Sequence, residues 1–292
     1  MLIERIFWEM DTYKAFRKSI AHDLHAGLLQ NWKRYAALAA AASFACAFFY
    51  HWCGVVSASR PIGAVPSFGD YLCFLMSGMK PYAYGDSSFE INALWLLLFA
   101  GLGYIVCDYP LRDIKGFGQQ ILLRSQSRMV WWGSKCVWCF LSVCVFYAVL
   151  AIICFLAALF TGSLSILPNA ELQEAVLELP IRELSAGEFL AAAVAVPFLV
   201  SVSLTWLQTA VSLTAAPLAG FIGIVALLAC SVYYPSSFLP GNFLMLLRFE
   251  TVSSCTDGTG WTISEACLFS ALTAAVALLL GSWAAKRKDI LS

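Results

Sequence analysis

The stretch CVWCFLSVCVFYAVLAIICFLAALF, Cys136 to Phe160, decides the class of this protein. It contains no charged residue. About 20 apolar residues in a helix cross the roughly 30 Å hydrocarbon core of a bilayer, and this run exceeds that. In lipid a lone segment must satisfy its own backbone groups, so the run reads as a transmembrane helix. Working outward, five more runs read the same way: Ala36 to Val56, Ile91 to Cys107, Phe189 to Leu213, Leu218 to Tyr234 and Ala266 to Ala285. Composition agrees. The chain is 61% hydrophobic and 12% charged, with a mean hydropathy of +0.77. A soluble domain carries about 25% charged residues. So few charges cannot cover a water-facing surface.

Charge patterning sets the expected orientation. Basic residues cluster before the first run (Arg5, Lys14, Arg17, Lys18, Lys33, Arg34), between the second and third (Arg112, Lys115, Arg124, Arg128, Lys135) and in the tail (Lys286, Arg287, Lys288). The other side holds only Arg60, Lys80, Arg182 and Arg248, with the acidic set Glu171, Glu174, Glu178, Glu183 and Glu188. Lys and Arg concentrate in short cytoplasmic loops. Six spans with both ends in the cytoplasm place all three basic segments on one side; an odd number does not. The expected fold is therefore an all-α integral membrane protein of six transmembrane helices. Residues 1–34 form a cytoplasmic interfacial segment, and residues 35–292 form the transmembrane domain. The first 34 residues are charged and lack the apolar core of a signal peptide.

Three segments lie on the membrane rather than across it. In the first 34 residues, Ile6, Met10, Tyr13, Ile20 and Leu24 recur at helical spacing, with Arg17 interrupting. Glu9, Lys14, Lys18 and Asp23 lie away from that stripe. Such a helix, with Phe7 and Trp8 beside it, suits the bilayer surface. After the second run Pro110 is expected to end the helix, and the loop over 109–135 has a turn at Gly116 to Gly118. A short helix over Gln119 to Ser127 then gathers Ile121, Leu122 and Leu123 on one side, with Arg124 and Arg128 near its end. Trp131 and Trp132 read as an interfacial anchor. A loop this structured reads as a docking surface or as a basic loop held to anionic lipid. Outside, YYPSSFLPGNFLMLLRFE breaks at Pro235, Pro240 and Gly241. Its apolar part, Phe243 to Phe249, is too short to span and reads as a re-entrant or interfacial helix.

Chemistry is sparse. In the fourth run Ser201, Thr205, Gln208 and Ser212 share one helix face. Intramembrane polar residues are either interhelical glue or the lining of a path, and Gln208 is the best path candidate. There is no phosphate-binding G-x-x-x-x-G-K-[ST] loop, no H-E-x-x-H and no G-x-S-x-G. His22, Asp23 and His25 read as solvated polar residues rather than a metal site. The C-x-x-C at Cys136 and Cys139 sits in an apolar setting that does not favour metal or redox chemistry. No catalytic, metal or cofactor site is expected, and nothing points to nucleic acid.

The stretches QQILLRSQSRMVWWGSK (Gln119 to Lys135), FGDYLCFLMSGMKPY (Phe68 to Tyr82) and FLPGNFLMLLR (Phe238 to Arg248) resemble permease subunits of Gram-positive bacterial ABC exporters of the type-2 class. The closest group is similar to exporters of amphipathic peptides, such as phenol-soluble modulins or bacteriocins, and their immunity relatives. The acidic segment Glu171 to Glu188 matches no motif of that group. The resemblance implies a dimer of this chain, or a pair with a paralogous permease, in the bacterial cytoplasmic membrane. It implies two separate ATPase subunits that bind the ATP, and a peptide or hydrophobic substrate. It also implies that the loop is the coupling segment seated on the ATPase, through Phe117, Gln119, Gln120, Ile121, Leu122, Leu123, Arg124 and Arg128. The competing readings are an ATP-independent secondary transporter, and a membrane enzyme or a non-transporting sensor or assembly protein. A secondary transporter needs intramembrane ionisable residues, and the apolar runs hold almost none.

Overall fold

The structure is a computed structural model that describes residues 14, 16–59, 65–80, 82, 91–116, 118–119, 128–177, 181–182, 184–252 and 260–287. It is all-helical, with no strand among the described residues. Five helices are long and apolar enough to cross a membrane. These are α2 (Trp32–Ser59), a bent pair made of α4 (Ala93–Val106) and α5 (Tyr109–Ile114), α6 (Arg128–Thr161), α8 (Ala186–Thr214) and α10 (Ile263–Arg287). The fifth apolar run forms α9 (Pro217–Tyr233). Its 17 residues rise only about 25 Å. Shorter helices complete the fold: α1 (16–29, π-helical over Leu24–Leu29), α3 (Phe68–Met76) and α7 (Ala170–Leu177).

Helix α8 is the most buried of the long helices and packs against α4, α6, α9 and α10. The side of α10 turned to the bundle is made of small residues. Ala266, Ser270, Ala277, Gly281, Ala284 and Ala285 are the buried positions of α10, whereas Leu268, Leu272, Val276, Leu279 and Trp283 are exposed. In lipid the hydrophobic effect does not drive helices together, so close approach through small side chains supplies the packing energy. Early in α8 a π-helical turn over Ala191–Ala195 precedes Pro197. Proline removes a backbone donor and crowds the preceding turn, and a π-bulge is a common way for a helix to absorb such a defect.

Four local expectations change. Pro110 does not end the chain's helical course; it sits in the first turn of α5, where its missing N–H costs nothing. Trp131 and Trp132 are not a lipid anchor, because both rings are buried with Ile114, Ala210, Leu213 and Ala284. The segment Phe243 to Phe249 is not a regular helix. Two 3-10 turns, Pro240–Leu244 and Leu246–Arg248, carry the chain there, and all their residues are buried. The fourth concerns α1. Its inward side is the i, i+4 series Ser19, Asp23, Gly27 and Asn31, whereas Lys14, Lys18, Leu24, His25 and Leu29 face outward. A small and polar stripe holds the helix to the bundle. Of the expected apolar stripe, Ile20 is half-buried and Leu24 exposed; Ile6, Met10 and Tyr13 lie outside the described residues.

Candidate functional site

At one end of the bundle α1, α5 and the start of α6 close around a charged cluster. Lys135 is fully buried. Its ammonium meets Asp23 from α1 and lies 2.6 Å from Asp113 Oδ2 of α5. Both carboxylate side chains are 2% exposed. Tyr109 donates to Asp23 Oδ1 at 2.7 Å, and Trp131 Nε1 donates to Asp113 Oδ2 at 3.1 Å. Beside them Ser19 donates to the Ser134 hydroxyl at 2.8 Å. His22 Nε2 stands 3.1 Å from Asp113 Oδ1 and is the most accessible member. Among the described residues Asp23 Oδ2 has no hydrogen-bond partner. Unpaired charges do not survive burial; these are buried because they are paired.

Sequence spacing positions each member locally. The i, i+4 stripe of α1 presents Ser19 and Asp23 together, and Gly27 one turn on lets the helix close on Trp138. A Cβ at Gly27 would lie 2.1 Å from Trp138 Nε1. Lys135 follows Trp131 by four residues on α6, so both reach Asp113. About 39 Å of helix separates Lys135 from Thr161 at the other end of α6. A hydrocarbon core of roughly 30 Å therefore leaves the cluster at the membrane boundary.

The cluster holds both roots of the loop. The chain leaves α5 through Gly118, whose Cβ, if present, would meet Asp113 Oδ2 at 2.3 Å. It returns at Arg128, which donates to the carbonyls of Ala285 and Lys286 at the end of α10. A second link ties the same end together: Arg34 donates to both Asp108 oxygens, at 2.7 and 3.1 Å. Of the expected coupling residues, Gln119 is half-buried beside this root and Arg128 caps α10. Phe117, Gln120, Ile121, Leu122, Leu123 and Arg124 lie outside the described residues. His22 and Asp23 are not the solvated polar residues expected from sequence; they belong to the cluster, while His25 is exposed.

The polar stripe of α8 is brought together and closed. Ser201 shares a 3.1 Å hydrogen bond with the Tyr147 hydroxyl, and Thr205 donates to the Val202 carbonyl at 2.9 Å. Gln208 Nε2 donates to the Gly103 carbonyl of α4 at 2.8 Å, and Ser212 donates to the Gln208 carbonyl at 2.8 Å. The cavity beside Ser201, Thr205 and Gln208 measures about 20 Å³, room for a single water. In this conformation the stripe joins α8 to α4, α6 and α9 and admits no solute. Gln208→Leu removes the bond to Gly103, worth about 0.6–2 kcal/mol between membrane helices. The expected result is a lower yield of folded protein and a lower melting temperature in detergent. Unchanged yield and melting temperature would deny the stripe its role in joining the helices.

At the opposite end, two more buried charges hold short segments in place. Arg248 donates to the carbonyls of Ser231 and Val232 at 2.6 and 2.8 Å, to Met79 at 3.3 Å, and to Asn242 Oδ1. It caps the last carbonyls of α9, where the helix dipole favours a cation. Burial pushes its guanidinium down to about 10, so it stays charged at neutral pH. Asp70 accepts from the Ser67 backbone and hydroxyl, the Asn169 backbone and Gln173, all at 2.7–2.8 Å. It joins the start of α3 to that of α7. Both sites are closed and structural.

Five helices able to cross a bilayer put this molecule in the class of helical multi-pass membrane proteins. Residues 69–291 match the family model described as protein of unknown function (DUF2705), and the chain belongs to that family. No curated protein and no solved structure matches it.

Proposed function

We propose that this chain is the transmembrane permease subunit of an ATP-driven ABC exporter in the bacterial cytoplasmic membrane. It moves an amphipathic peptide or similar hydrophobic substrate and is driven by separate ATPase subunits. It acts as a pair, with a second copy or a paralogous permease. The observation that carries the reading is the loop between α5 and α6, whose two roots are bound into the bundle. A loop pulled by a nucleotide-driven partner must pass its displacement to the spans. Asp113 and Lys135 connect it to α1 and α6, and Arg128 connects it to α10. Those contacts make the rooted loop a lever, and the resemblance of Gln119 to Lys135 to exporter coupling segments supplies the partner. Isolation of the tagged chain from its own membrane tests this. An ABC ATPase subunit should come with it in stoichiometric amount; a chain that exports its substrate when purified alone would end the proposal.

The proposed topology completes it: six spans with α9 as the fifth, both ends cytoplasmic, α1 on the cytoplasmic surface, and the 240–248 turns outside. Single cysteines in a cysteine-free background should label from outside at positions 80, 178 and 257, and not at positions 18, 120 or 287. External labelling at position 120 contradicts six spans.

One observation favours a second reading. The Lys135, Asp23 and Asp113 cluster is an ionisable set at the membrane boundary, of the sort a proton-coupled carrier uses. That carrier would follow a proton gradient without ATP.

A further inference from the structure

A groove of about 430 Å³ opens between α2 and the final turns of α6, floored by Cys46 and by Tyr71 of α3. It belongs to none of the clusters above. Its origin is local. Ser43 and Ala47 stand one turn apart on α2 and face Ala157 on α6, so small side chains leave a gap where larger ones flank it. The lining is mostly apolar. The Thr161 hydroxyl at its upper end is already used, donating to the Pro66 carbonyl at 2.8 Å.

Position, shape and lining together define the occupant. Phe160, which lines the groove, is 91% exposed, and Phe44 and Phe48 on α2 are exposed as well. On helices that cross a membrane, such exposed side chains meet hydrocarbon. The groove follows the helix axes from Ser43 to Tyr50 and from Ile153 to Thr161, a length of about 10–12 Å. One leaflet of the hydrocarbon core is roughly 15 Å deep. Its volume falls within the range of about 300–1,000 Å³ seen for small-ligand sites. Water gains nothing from apolar walls, and an empty groove forfeits dispersion contacts along its whole length. We propose that this groove is a binding site for one acyl chain of a bilayer phospholipid, held in the leaflet next to the Thr161 end of α6. The proposal rests on the chain spanning a membrane and is independent of transport.

The test uses the full chain, reconstituted in phosphatidylethanolamine and phosphatidylglycerol, re-extracted in mild detergent and examined by native mass spectrometry. Wild-type protein should retain one phospholipid per protomer. Ala157→Trp fills the groove from α6 and should reduce that retention at least tenfold. Ala47→Phe fills it from α2 and gives a second reading if the first variant folds poorly. Leu279→Phe, on the exposed side of α10, should retain lipid as wild type does. The proposal is overturned if wild type keeps no lipid, if correctly folded groove variants keep as much as wild type, or if Leu279→Phe loses lipid equally. A change in dimer fraction at unchanged lipid retention would give the groove to a second copy and also overturn it. Cysteine labelling of the same variants separates these results from a failure of the membrane topology.

Discussion

Replacing Lys135 by Met should destabilise the protein by about 3–5 kcal/mol, the cost of leaving buried charge without its partner. Lys135 is the ammonium that reaches both Asp23 and Asp113. Without it two carboxylates share a closed space, with His22 at its accessible edge. Thermal unfolding in detergent, followed by size-exclusion chromatography, reads the effect. Adding Asp23→Asn and Asp113→Asn to Lys135→Met should recover most of the loss, since a neutral set no longer needs the cation. Lys18→Ala, at an exposed position of α1, should stay within about 0.5 kcal/mol of wild type. If Lys135→Met alone is as stable as Lys18→Ala, the cluster does not hold α1 to the bundle, and the loop loses its root.

The second large effect concerns the loop itself. With the proposed function, Leu122→Asp together with Leu123→Asp should abolish binding of the ATPase subunit while the chain still inserts and folds. An apolar patch on a cytoplasmic loop is costly in water, at about 25 cal/mol per Å², so a partner surface is expected to cover it. Trp131 and Trp132 are buried inside the bundle, so they do not anchor the loop to the bilayer. A short docking segment depends on a few central residues worth about 2 kcal/mol or more each. Two such losses amount to roughly a 10²–10³-fold weaker complex. Arg124→Glu should weaken the same contact, and more at low salt than at high salt. Full ATPase binding by the double variant would move the docking role elsewhere, with α1 the next segment to test.

Much of the fold was legible because lipid imposes length and composition rules that read directly from sequence. The run Cys136 to Phe160 lies wholly within α6, and Ala36 to Val56 within α2. The helices extend past the runs, since polar residues such as Lys33 and Lys286 continue a helix into the headgroup region without breaking it. The charged cluster was not legible. Asp23 and Lys135 are 112 residues apart, and no spacing rule joins them. One signal was present: Ser19, Asp23, Gly27 and Asn31 recur every four residues, the small-and-polar stripe of a closely packed membrane helix. The apolar stripe on the same segment drew the reading instead. Arg248 was missed for a related reason. Nothing local marks a basic residue as a cap for the carbonyls of Ser231 and Val232, which come from the helix before it.

The proposed function is ATP-driven movement of an amphipathic substrate through this chain, powered by a separate ATPase subunit. Accumulation of a labelled amphipathic helical peptide in inside-out vesicles carrying both subunits measures that directly. The expected uptake requires ATP and disappears when Leu122 and Leu123 are both Asp. Uptake that proceeds without ATP and follows an imposed proton gradient would contradict it.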